Sequence, residues 1–122
     1  MKEHSFRTIV LKNKNREKRK TVITFSDDAY GIVSEFINGE LESFHEEISA
    51  GLKQMKETGS QARFGGNRIC FAADPDRTLI YEDGEAKMRW CEIGTDEFLE
   101  LIREWEQERQ ITDESDKNEK GL

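Results

Sequence analysis

Residues 68–93, RICFAADPDRTLIYEDGEAKMRWCEI, decide the fold. Asp74-Pro75-Asp76-Arg77 is a turn built around proline, and Asp83-Gly84 between apolar runs is a strong hairpin signal. The breaks leave three short segments, Arg68 to Ala73, Thr78 to Glu82 and Ala86 to Ile93, each expected as a strand. Strands joined by tight turns pair antiparallel.

Working outward, the next segment reads as a helix. Thr95 is a candidate cap, Asp96 and Glu97 suit a first turn, and Phe98, Leu101, Ile102 and Trp105 form one apolar stripe. On the other side, Leu41 to Thr58 carries Leu41, Phe44, Ile48, Leu52 and Met55 on one helical face, with Gly59 placed as terminator. Gly51 inside that helix costs about 1 kcal/mol relative to Ala. Ser60 to Asn67 reads as a loop, freed by Gly65-Gly66.

Near the start, Ser5 to Leu11 and Lys20 to Phe25 read as the strands of a hairpin, with Lys12 to Arg19 as its polar, basic tip. Ser26, Asp27 and Asp28 are turn or cap residues. Tyr30 to Ile37 fits a strand or a helix; the Asn38-Gly39 turn signal favours a third strand. The order is β-β-(β)-α-β-β-β-α. This predicts an α+β fold of two layers, a mainly antiparallel sheet with two amphipathic helices packed on one face. One domain over 1–111 is expected, followed by a polar, flexible tail over 112–122.

The chain has 122 residues, 34% hydrophobic and 37% charged, with a net charge of −7. No apolar run approaches the ~20 residues that span a bilayer, and Met1 to Arg7 lacks the apolar core of a signal peptide. A cytoplasmic protein without membrane attachment is expected, with Cys70 and Cys91 reduced.

The charge is polarised. Residues 1–20 hold eight cations against two acids, and the rest holds 11 cations against 24 acids. Residues 26–50 contain seven acids and no Lys or Arg, and residues 82–108 contain ten acids against Lys87, Arg89 and Arg103. Such runs are commonly solvated surface, but a dense acidic face also attracts a basic partner. The candidates for that contact are Asp27, Asp28, Glu35, Glu40, Glu42, Glu46, Glu82, Asp83, Glu85 and Glu92.

Catalytic constellations are sparse. His4 lies in a start expected to fray, and His45 lies at the flank of a helix stripe and reads as a border residue. Cys70 and Cys91 lack paired metal-ligand spacing and read as small buried residues. Asp74-x-Asp76 lacks the glycine and distant glutamate of a calcium loop, and Gly65-Gly66-Asn67 lacks the lysine of a phosphate loop. Trp105 reads as core; Trp90, between Arg89 and Cys91, reads as core or interface anchor. No carboxylate pair sits in the apolar context that general acid–base chemistry needs. No enzyme, metal or cofactor is expected. The basic strip from Lys12 to Lys20 has no interleaved aromatics, so a solvated hairpin tip is favoured over nucleic-acid binding.

From Gly66-Asn67 to Glu108 a strand, a hairpin strand and a strand ending in Cys91-Glu92-Ile93-Gly94-Thr95 lead into an I-x-x-x-E-F-L-x-L-I-x-x-W helix running from Ile93 to Trp105. This arrangement resembles small bacterial immunity proteins, the cognate inhibitors of contact-dependent growth inhibition and related polymorphic toxins. The resemblance implies one-to-one binding of a toxin domain, often a nuclease, inside the producing cell. Charge supports it separately: a nuclease presents a basic cleft to phosphates, and an acidic inhibitor can meet that cleft. The alternatives are a small regulatory adaptor and a nucleic-acid-binding module using the basic hairpin.

Overall fold

The amino-terminal hairpin sets one layer apart. In the computed structural model, which describes residues 2–84 and 88–120 with side chains to Asp113, β1 (His4–Asn13) pairs antiparallel with β2 (Arg16–Phe25). The register runs from His4↔Phe25 to Asn13↔Arg16, so only Lys14 and Asn15 remain for the turn, and Lys14 takes a left-handed φ of 52°. The strands therefore extend into the segment expected as a turn. Its polar side chains meet solvent, so no alternation marks these residues as strand.

Tyr30 to Ile37 is helical, not a third strand. A single 3₁₀ turn over Asp28–Tyr30 runs into α1 (Gly31–Glu35) and then into a π-helical turn over Phe36–Leu41. Ile32, Val33, Phe36, Ile37 and Leu41 recur at helical spacing, and all are buried. Burial of that stripe outweighs the β-preference of the branched residues. Asn38, expected in a turn, instead reaches back to β2. Its Oδ1 accepts from Ile23 N at 2.9 Å and its Nδ2 donates to Ile23 O at 3.0 Å. The side chain thus meets one residue of β2 on both backbone groups, as a neighbouring strand would.

Helix α2 (His45–Thr58) buries Ile48, Leu52 and Met55 and ends at Gly59, whose φ of 71° closes the last turn through Gly59 N–H to Met55 O at 2.8 Å. The expected helix start at Leu41 belongs to the π turn. A short strand β3 (Ala62–Gly65) follows where a loop was expected. It pairs with β4 (Ile69–Ala73), which pairs with β5 (Arg77–Glu82), which pairs with β6 (Trp90–Gly94). All these pairings are antiparallel. The first part of the strand expected over Ala86 to Ile93 lies outside the described residues.

Helix α3 (Thr95–Lys120) buries Phe98, Leu101, Ile102 and Trp105. Thr95, expected as its cap, donates its hydroxyl to Asp74 O at 2.6 Å and meets Thr78 Oγ1 at 2.9 Å. The helical backbone continues past Ile111, where the sequence suggested a tail. Thr112 is buried, donates back to Glu108 O at 3.1 Å and lies 2.7 Å from Thr21 Oγ1. This contact joins α3 to the hairpin.

The architecture is α+β, with two antiparallel sheets of two and four strands and three α-helices among the described residues. Ile69, Phe71, Ala73, Ile80, Cys91 and Ile93 line the core face of the larger sheet and share one apolar cluster with the helices. Phe36 sits within it, its ring centroid 5.6 Å from Phe71 and 5.8 Å from Phe98. Cys70 and Cys91 are free and buried. Cys70 pairs with Tyr81 and Cys91 with Ile80, so they face opposite sides of the sheet. No helix among the described residues is long and apolar enough to cross a membrane.

Candidate protein-binding surface

The acidic residues fall into separate places, each fixed by a different element. Glu40 is not surface. It is 8% exposed and its carboxylate accepts three backbone N–H groups. Oε2 takes Asn67 N at 3.2 Å, and Oε1 takes Arg68 N at 3.1 Å and Ile69 N at 3.4 Å. The π turn carries Glu40 to the loop before β4, where it satisfies the buried Ile69 N and the part-buried Asn67 and Arg68 N. Gly66 is required beside it, because a Cβ there would collide with the Glu40 carboxylate and with Ile69 O.

Glu35 and Glu82 join a charge knot. Arg89 bridges them, meeting Glu35 Oε2 at 2.6 Å through Nη1 and Glu82 through Nε. Arg68 Nη2 holds Glu35 Oε1 at 2.8 Å. The hydrogen bond from Arg89 and the charges of both arginines hold the Glu35 carboxyl below its usual range. These acids tie α1 to the larger sheet.

Asp27 caps the 3₁₀ turn, accepting from Ala29 N at 2.9 Å, and pairs with Lys2 at 3.0 Å. The backbone bond first and Lys2 second lower its carboxyl pKa. Asp28 is exposed beside Ala29, Ile32, Met88, Arg89 and Trp90, which line a shallow depression. Asp83 is exposed, Glu92 pairs with Arg77 at 2.8 Å on the outer face of the sheet, and Glu85 lies outside the described residues. The ten candidates therefore do not form one surface.

One concavity gathers acids of the first stretch, and Glu106 of the second lies beside its lining residue His45. Glu42, Ser43, Phe44, His45, Glu46, Glu47 and Arg109 line it, at the start of α2 and midway along α3. The break between the π turn and α2 turns Phe44 to a φ of −124°, and Glu46 and Glu47 occupy the first turn of α2. That position suits the positive end of the helix. His45 Nε2 approaches Glu106 Oε2 at 3.3 Å, near enough for an ion pair without the alignment of a hydrogen bond. The His45 ring lies 5.6 Å from Trp105, and Arg109 covers that indole at 5.1 Å. Glu42 faces Lys18 at 3.7 Å and Lys20 at 3.6 Å across the gap to β2.

The lining thus combines the rings of Phe44 and His45 with the acids Glu42, Glu46 and Glu47 and the cation Arg109, while Lys18 and Lys20 offset Glu42. Glu42 and Glu46 were among the sequence candidates. Glu47 and Glu106 lay in the two acidic stretches without being singled out, and Arg109 was missed. Their signal is positional: Trp105, Glu106 and Arg109 recur at helical spacing, but which face meets α2 is a tertiary matter. Among the described residues no group of three or more His, Cys, Asp or Glu side chains is placed to hold a metal ion. No family model matches the chain, and neither a curated protein nor a solved structure matches it.

Proposed function

We propose that this chain is a cytoplasmic immunity protein that binds a cognate toxin domain of basic charge, a nuclease in the first instance, and neutralises it one to one. The observation that carries the reading is the concavity that gathers Glu42, Glu46 and Glu47 of one acidic stretch around Phe44 and His45, with Glu106 of the other beside His45. Carboxylates beside the Phe44 and His45 rings suit a basic protein surface: the carboxylates steer encounter and the rings supply buried area. The reading assigns the chain no catalysis and no cofactor. Of the ten sequence candidates it keeps Glu42 and Glu46 as contacts and gives Glu35, Glu40 and Glu82 structural roles.

The test is protection in cells. The reading expects a toxin domain to be encoded beside this chain; that domain is expressed alone, with the wild-type chain, and with Glu46→Lys/Glu47→Lys. Wild type is expected to restore growth and the double variant to lose most of that protection while remaining folded by circular dichroism. Absence of protection by the wild-type chain would overturn the reading.

A further inference from the structure

The outer face of the four-stranded sheet carries a second surface, independent of the acidic concavity. The helices pack on the opposite face; on this one Trp90 is 65% exposed and Leu79 37%, Ala72 and Tyr81 are half-buried, and Cys70 is buried between its neighbours. Trp, Tyr, Met and Arg are the residue types enriched where proteins associate.

The pairing registers show how this face is graded. One row across the sheet reads Gly65, Cys70, Tyr81, Trp90, and the next reads Arg63, Ala72, Leu79, Glu92. Apart from Arg63, the β3–β4 half is low, built from glycine, cysteine and alanine. The β5–β6 half is high, built from leucine, tyrosine and tryptophan. The second row also ends in a cation on β3 and an anion on β6.

We propose that two copies of this chain associate through this face, about a two-fold axis parallel to the strands and running between β4 and β5. Such an axis keeps each row opposite itself and exchanges its ends. Trp90 then lies over Gly65 of the second copy, Tyr81 over Cys70 and Leu79 over Ala72. Each tall side chain meets a short one, so the two wedges fill one layer. Arg63 of each copy lies opposite Glu92 of the other, and Glu92, already 2.8 Å from Arg77, gains a second cation. Aligned packing of two sheets is compatible with this axis. Ordinary strand spacings give a footprint of roughly 300 Å². Stable interfaces bury about 800 Å² on each partner, so the association is weak and depends on concentration.

Sedimentation equilibrium of the full chain, from about 10 µM to about 1 mM, tests it across the range expected for so small an interface. The average mass should rise from one chain towards two for the wild type and stay at one for Trp90→Glu, whose exposed position leaves folding intact. Arg63→Glu and Glu92→Arg should each fail to associate alone, because each places like charges opposite one another twice. Mixed together they should associate, since both contacts are then opposite in sign. A wild type that stays monomeric throughout, or a mixture no heavier than its separate components, would overturn the proposal.

Discussion

Glu40 offers the sharpest test of how the chain is held together. Its buried carboxylate is the acceptor for the backbone N–H groups of Asn67, Arg68 and Ile69. Replacing it by Ala leaves all three without that acceptor. An unsatisfied buried donor costs about 1–3 kcal/mol, and more when the lost partner was charged. Asn67 and Arg68 are exposed residues, so water can recover part of the loss there. The net expectation is about 3 kcal/mol for Glu40→Ala. Glu40→Gln retains one oxygen for two of the donors but turns an NH₂ towards the third, and about 2 kcal/mol is expected. For a chain of this length, 1 kcal/mol moves Tm by about 4 °C, so Ala should lower it by about 12 °C and Gln by about 8 °C. Urea denaturation followed by circular dichroism gives both values. If both variants unfold within about 0.5 kcal/mol of the wild type, the carboxylate does not anchor this loop and the assignment of Glu40 to structure is wrong.

Three further outcomes follow from the same contacts. Gly66→Ala should destabilise by about 1–3 kcal/mol, since its methyl must displace Glu40 or Ile69 O, and Gly65→Ala, with open space around it, should cost less in the same denaturation experiment. Asn38→Leu should cost about 1–3 kcal/mol in thermal unfolding by leaving Ile23 N and O without the side-chain amide, and a neutral result would remove the strand-like role given to Asn38. Because the Glu35 carboxyl titrates lower in the folded chain than its ordinary 4.5, its stabilisation is complete above that value and is lost as pH falls through the lower folded one. Glu35→Gln should therefore flatten the acid side of the stability–pH curve, and an unchanged curve would contradict the Arg68–Glu35–Arg89 knot.

The parts of the fold that announce themselves in sequence are those with one wet and one dry face. The stripe of α3 and the Ile48, Leu52 and Met55 part of the stripe of α2 are of this kind and appear where the spacing puts them, as does the turn at Asp74-Pro75-Asp76, while Leu41 and Phe44 fall before α2 begins. The misread parts lack that contrast. The distal hairpin meets solvent along much of both strands, so its alternation carries no signal. Ile32, Val33 and Ile37 look like strand residues by type, and only the burial of Phe36 and Leu41 with them reveals a helix. β3 has four residues, ends in glycine and is recognisable as a strand chiefly by its partner β4. The acidic runs were legible as charge but not as partners. Glu40 finds backbone 27 residues away or more, and Glu35 finds Arg68 33 residues away, distances in sequence that no local pattern reports. The same limit hid Glu106 and Arg109, which matter to the concavity only because α3 crosses the start of α2.

The central claim is that the acidic concavity at the start of α2 is the contact surface for a basic partner. Titration calorimetry of the full chain against the neighbouring toxin domain, rendered inactive at its own catalytic residues, measures this directly. The account predicts a one-to-one complex that weakens with added salt and is at least about 10-fold weaker for Glu46→Lys/Glu47→Lys, with Trp90→Glu unchanged. Wild-type affinity in the Glu46→Lys/Glu47→Lys variant, or binding insensitive to salt, would contradict it.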